Sequence, residues 1–167
     1  MSLKIVRAAR SDSALLQNLF QLYTHDFSEF WAGSARGELE ADGRYTDYPL
    51  TPFFERASWS AWLLKSGEAP AGFALINDAA HSGLPTRRSM AEFFVVRKHR
   101  GQGAGRAAAQ ALIADEPGGW EIAVARANTG ALTFWRKVAA TCAAGPVEEL
   151  DIASPDWNGP VLRFAAR

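Results

Sequence analysis

The chain has 167 residues, 48% hydrophobic and 22% charged, the balance of an ordinary soluble globular protein. That length reads as one domain, residues 1–167, able to bury a sizeable core. Lysine plus arginine and aspartate plus glutamate number 18 each, so no global charge points to nucleic acid, an anionic membrane or a strongly acidic partner. Cys142 is the only cysteine, which excludes an intramolecular disulfide and a thiolate metal cluster. His25, His81 and His99 lie far apart without ligand spacing, so no metal site is expected. Residues 1–7 lack the apolar core of a signal peptide, and no apolar run approaches about 18 residues. The expected location is the cytoplasm.

Residues 3–7 read as a first strand. Ser11 or Asp12 stands where a cap is needed for a helix whose Leu15, Leu16, Leu19, Phe20 and Tyr23 fall on one apolar face. From 32 to 52, glycines, acids and Pro49 predict a loop with a short helical piece. Strands at 59–64 and 71–77 flank Ser66-Gly67-Glu68, a hairpin signal. Turn formers at 78–86 lead into Glu92-Phe93-Phe94-Val95-Val96, whose aromatic and β-branched residues predict a buried strand. An alanine-rich helix follows at 106–113, then a strand at 120–125 and a helix from Thr129. Closing strands are predicted at 141–152 and 161–165. The order β-α-β-β-β-α-β-α-β-β describes an α/β protein, a mixed sheet flanked by helices.

Arg100-Gly101-Gln102-Gly103-Ala104-Gly105 joins that buried strand to the helix opening at Arg106. The first N–H groups of a helix have no intrahelical partner and point outward, where a phosphate can receive them. Glycines let the backbone approach such a ligand without a Cβ in the way. A tight turn serving geometry alone is the bland alternative, but three alternate glycines after Arg97, Lys98 and His99 favour a phosphate or pyrophosphate ligand. The basic residues themselves either serve that phosphate or form a solvated loop. No Gly-Lys-Ser/Thr occurs, which argues against a Walker-type nucleotide site. A dinucleotide pattern fits Gly103-Ala104-Gly105-Arg106-Ala107-Ala108 poorly, because the expected acidic residue should end the next strand and Glu121 opens it instead.

Asn128-Thr129-Gly130-Ala131-Leu132-Thr133-Phe134-Trp135 follows the next apolar strand. Together the two motifs resemble the GCN5-related N-acetyltransferase superfamily. Its first signature is met by Arg100, Gly103 and Gly105, and its second by Asn128, Ala131 and Phe134, with Trp135 in place of a tyrosine. The matched stretch runs from about Glu92 to Val138. The resemblance implies an acyl-CoA N-acyltransferase fold and acetyl-CoA as cosubstrate. It implies that residues 101–106 take the pyrophosphate. Backbone groups of Phe94, Val95 and Val96 would pair with the pantetheine amides where their strand parts from 120–125. Asn128 either hydrogen-bonds the arm or caps its helix, Ala131 keeps that helix close to the cofactor, and Phe134 is expected in the core.

Glu92 is the best-placed carboxylate for a general base, its alternative being an exposed charge at a strand start. Trp135 leaves vacant the proton donor that many family members place there, since an indole N–H is not a usable acid. The only tyrosines, Tyr23, Tyr45 and Tyr48, lie in the half that borders the acceptor pocket in this superfamily. Acids among aromatics there (Asp26, Glu29, Trp31, Asp42 and Asp47) suit a small-molecule amine. A non-catalytic acyl-CoA-binding sensor or scaffold is the alternative to an N-acetyltransferase. Exposed aromatics leave a homodimer open.

Overall fold

The computed structural model describes residues 2–167. In chain order they form β1 (Lys4–Arg7), α1 (Ser13–Ser28), α2 (Pro52–Glu55), β2 (Ser60–Ser66), β3 (Ala69–Asn77), β4 (Arg88–Val95), α3 (Ala104–Ala114), β5 (Gly118–Ala123), α4 (Thr129–Cys142), β6 (Glu148–Ala153) and β7 (Asn158–Ala166). Single 3-10 turns lie at Arg10–Asp12, Glu29–Trp31 and Arg97–His99. The order agrees with expectation, and the differences have local causes. Neither Ser11 nor Asp12 caps α1 through its side chain. The Asp12 carboxylate instead accepts the Ala9 N–H at 2.8 Å, and the Ser13 hydroxyl donates to the Arg10 carbonyl at 2.6 Å. The predicted helical piece comes at the end of its loop, as α2, with Pro52 in the first turn where its missing N–H costs nothing. β4 begins at Arg88 rather than Glu92. Helix α4 runs to Cys142, over the start of the strand predicted at 141–152, because Trp135, Val138, Ala139 and Cys142 continue one inward-facing stripe at helical spacing.

The seven strands make one sheet, ordered β1-β2-β3-β4-β5-β7-β6. Every neighbouring pair is antiparallel except β4 and β5. Alternation along β3 divides the core between the two faces of the sheet. Ala74 and Ile76 pack with Ala109, Leu112 and Ile113 of α3 and with Trp135, Val138 and Ala139 of α4. Phe73 and Leu75 pack with Leu16, Leu19 and Phe20 of α1 and with Phe53 of α2.

The parallel pair is short. It holds only at Arg88↔Trp120 and Ser89↔Glu121, and beyond those residues the two strands part. A fully buried carboxylate pins the point of divergence. Glu121 accepts from the His81 N–H at 2.5 Å and the Ser82 hydroxyl at 2.5 Å, and it pairs with the Arg163 guanidinium at 2.7 Å. Such a charge is tolerated inside a protein only when paired and hydrogen-bonded, as here. Among the described residues no helix is long and apolar enough to cross a membrane, and no three His, Cys, Asp or Glu side chains are grouped to hold a metal.

Candidate active site

The parting of β4 from β5 opens a cleft of about 690 Å³. The Val96 N–H donates to the Ala71 carbonyl of β3 at 2.8 Å, so the backbone of Val96, and of Phe94 two residues earlier, is turned toward β3. The intervening residues, Phe93 and Val95, turn theirs into the gap. This corrects the expectation that Phe94 and Val96 offer backbone groups there: Val95 does, and Phe93 joins it. Period-two alternation, with one hydrogen bond to fix its phase, decides the matter, and the sequence alone does not contain that phase.

Beyond Val95 the chain makes the glycine turn. Gly101 and Gly103 have φ of +81° and +79°, the left-handed region that side chains avoid, and Gly103 is the residue from which α3 starts. Gly101, Gly103, Gly105 and Arg106 line the cleft, so the unpaired N–H groups of the first turn of α3 open onto it. Two residues of this motif stand apart from the cleft wall. Gln102 is exposed, and Ala104 is buried against Val95 and Ala108, where it fastens the helix to the sheet.

Arg100 differs from expectation. Its Nε donates to the Val95 carbonyl at 2.6 Å and its Nη2 to the Asp26 carboxylate at 2.6 Å. Arg97 meets the other oxygen of Asp26 at 2.8 Å. Burial alone would raise the Asp26 carboxyl, but the Arg100 and Arg97 hydrogen bonds outweigh it and hold the group below the usual carboxylate range. Both arginines line the cleft, yet each is already committed to a carboxylate from α1.

The opposite wall is α4. The Asn128 side-chain oxygen accepts the Ala131 N–H at 3.1 Å, so of its two expected roles the structure contains the cap. Asn128, Ala131 and Trp135 all line the cleft. Phe134, expected in the core, lines it too: its ring lies 5.9 Å from Phe93, which meets Trp135 edge-on at 5.3 Å. These rings form an apolar inner wall.

On the α1 side, the hydroxyl of Tyr23 donates to Glu92 Oε2 at 2.6 Å, and the Tyr48 hydroxyl lies close to the same carboxylate. Glu92 is therefore not an exposed charge at a strand start. Burial pushes its carboxyl up to about 7, against the opposing pull of the Tyr23 and Tyr48 hydroxyls. Burial and the nearby carboxylate together raise the hydroxyl pKa of both tyrosines. Tyr23 lines the cleft, and Glu92 sits behind it. Tyr48 is held in place from α1: the Gln17 carboxamide bonds both its N–H and its carbonyl, at 3.0 and 2.7 Å, and Gln21 does the same for Tyr45 at 2.7 and 3.0 Å. Of the other residues expected near an acceptor, Asp26 and Glu29 line the cleft, while Trp31, Asp42 and Asp47 lie outside its wall. His99, Gly130, Thr133 and Lys137 also line the cleft, while Phe27 and Phe30, likewise in the wall, had no motif to announce them.

A mixed sheet parted at its parallel pair, with a glycine turn and a helix start beside the opening, is the acyltransferase type of α/β fold. The model of the Acetyltransferase (GNAT) family matches residues 16–139, and the chain belongs to that family. Its structure is similar to an acetyltransferase from Thermus thermophilus (TM-score 0.65, 19% identity, covering 100% of this chain and 97% of the other). It is similar also to the PaiA N-acetyltransferase from Thermoplasma acidophilum in complex with coenzyme A (0.65, 11%, 99% and 99%). A third likeness is to a spermidine N-acetyltransferase SpeG chimera from Vibrio cholerae (0.57, 12%, 99% and 96%). At these identities the likeness is one of fold. No curated protein matches the sequence.

Proposed function

We propose that the protein transfers the acetyl group of acetyl-CoA to a primary amine of a small molecule. The observation that carries this reading is the gap between β4 and β5, with the Phe93 and Val95 backbone turned into it and the start of α3 at its mouth. A peptide-like pantetheine arm pairs with free strand backbone, and a pyrophosphate suits a helix N-terminus. In this reading Gly101, Gly103, Gly105 and Arg106 hold the pyrophosphate, Val95 and Phe93 the arm, and Asn128, Ala131 and Trp135 its far side. Acetyl-CoA supplies an activated acyl group. The CoA complex and the spermidine acetyltransferase among the similar folds support the cosubstrate and the amine class. A cytoplasmic location goes with this reading.

An alkylamine with a pKa near ~10.4 is an ammonium at neutral pH and has no lone pair until a proton leaves. That first proton goes to water, and Glu92 is the acceptor in this proposal for the proton the nitrogen sheds as the amide forms. A carboxyl titrating at about 7 is suited to that task near neutrality, since it is charged often enough to accept and basic enough to hold a proton. The second reading is a non-catalytic acyl-CoA-binding module, and Trp135 favours it, because indole cannot protonate a leaving thiolate.

Thermal unfolding with acetyl-CoA, CoA, NAD and ATP tests the cosubstrate. A ligand at about 100 times its Kd stabilises the native state by roughly 2.7 kcal/mol. A shift with acetyl-CoA and CoA alone is the expected result. No shift with either, in folded protein, would overturn the reading.

A further inference from the structure

Three features of the cleft bear on where its protons can go. Tyr23 is the tyrosine in the cleft wall, and among the described residues its hydroxyl is the one that joins that wall to the carboxylate behind it. Its ring is fixed on several sides, 5.7 to 5.8 Å from Phe20, Phe27, Phe73 and Phe94, so the hydroxyl has one resting direction. The family's usual donor position on α4 holds Trp135, whose indole closes the opposite wall.

We infer that Tyr23 is a catalytic residue that carries one proton both ways: from the acceptor amine to Glu92, and from Glu92 back to the departing sulfur. This rests on the transferase reading above. In the resting arrangement the Tyr23 O–H donates to Glu92, which leaves the lone pairs of its oxygen for an N–H in the cleft. The acceptor enters the step as the free amine, its ammonium proton having gone to water. As the carbon–nitrogen bond forms, the next nitrogen proton passes to the Tyr23 oxygen while the phenol's own proton passes to the ionised Glu92. As the carbon–sulfur bond breaks, the two transfers reverse. Glu92 returns its proton to Tyr23, and Tyr23 gives one to sulfur. Amide and free thiol leave, and both side chains end as they began. Tyr23 is never a free phenolate in this scheme, which agrees with the burial and adjacent carboxylate that disfavour that form. The titratable groups facing Glu92 are Tyr23 from α1 and Tyr48 from the preceding loop; β3 contributes Leu75 and Phe73. Tyr48 keeps the carboxylate oriented and is a positioning residue. A separate acid on α4 is then unnecessary.

Tyr23→Phe tests this, because it keeps the packed ring and removes only the hydroxyl. Parent and variant are assayed with acetyl-CoA and with spermidine and 2-phenylethylamine as acceptors. The expected result is a fall in kcat of about 10²-fold or more at unchanged KM for acetyl-CoA. The double variant Tyr23→Phe/Glu92→Gln should be no slower than the worse single one, as for groups acting as a unit. In ligand-free protein, carboxyl NMR should show Glu92 titrating higher in Tyr23→Phe than its parent value of about 7, because a bond to the charged form is gone. An active parent with Tyr23→Phe at full rate, or a Glu92 titration unmoved by that change, overturns the relay alone. A parent that binds acetyl-CoA yet acetylates neither amine counts against the transferase reading and removes the relay with it.

Discussion

Glu92 shows what a single residue costs and contributes. The unfolded chain releases this proton near 4.5, while the folded protein keeps it to about 7. Between those values the native state binds more protons than the unfolded one, so stability falls as pH rises through that window. The whole drop is about 3 kcal/mol and is complete above the folded value. Urea unfolding across pH 4.5–8 should show this slope in the parent and its loss in Glu92→Gln; parallel curves for the two would contradict it. The carboxylate was legible in the sequence because it stands on the strand before the glycine turn. Its partners were not. Tyr23 and Tyr48 were placed by resemblance near the acceptor pocket, but not on this carboxylate, because no periodicity connects residues so far apart in the chain. Gln17 and Gln21, which fix that loop, carried a faint signal as an i, i+4 pair of amides on one helix.

At the scale of elements, strong local patterns were reliable and phase was not. The helices α1 and α3, the hairpin of β2 and β3 and the strand before the glycine turn followed from spacing and turn chemistry. The end of α4 was missed because Thr141 and Cys142 suit strands as well as helices, and the inward stripe that Cys142 continues is visible only once the core exists. Which backbone groups of β4 face the gap depended on its pairing with β3, and Gly72 makes that pairing close. A Cβ there would overlap the Phe94 carbonyl and crowd the Val95 backbone, neither of which is a flexible side-chain end. Gly72→Ala should therefore lower stability by about 1–3 kcal/mol in denaturant titrations. A neutral result would mean that β3 and β4 separate without penalty.

For the molecule as a whole, two strands share only two residue pairs before they diverge, and Glu121 secures the junction from within. Arg163→Met should strip this carboxylate of its ion pair and leave it buried, at a cost of about 3–5 kcal/mol. Equilibrium unfolding reads that loss, and a change within about 0.5 kcal/mol would show that the junction does not depend on the pair. Nothing in the sequence marked Glu121 as structural, since its partners come from a distant loop and the last strand. The gap that begins there has one more consequence. Sheets ordinarily keep their unpaired edges at the periphery, where they invite other chains and are guarded by charge, proline or brevity. This sheet carries two more such edges in its middle, one on each side of the opening. The cleft beside them is walled by the rings of α1 and α4 and by the turn into α3. Another sheet could reach those edges only by displacing that wall.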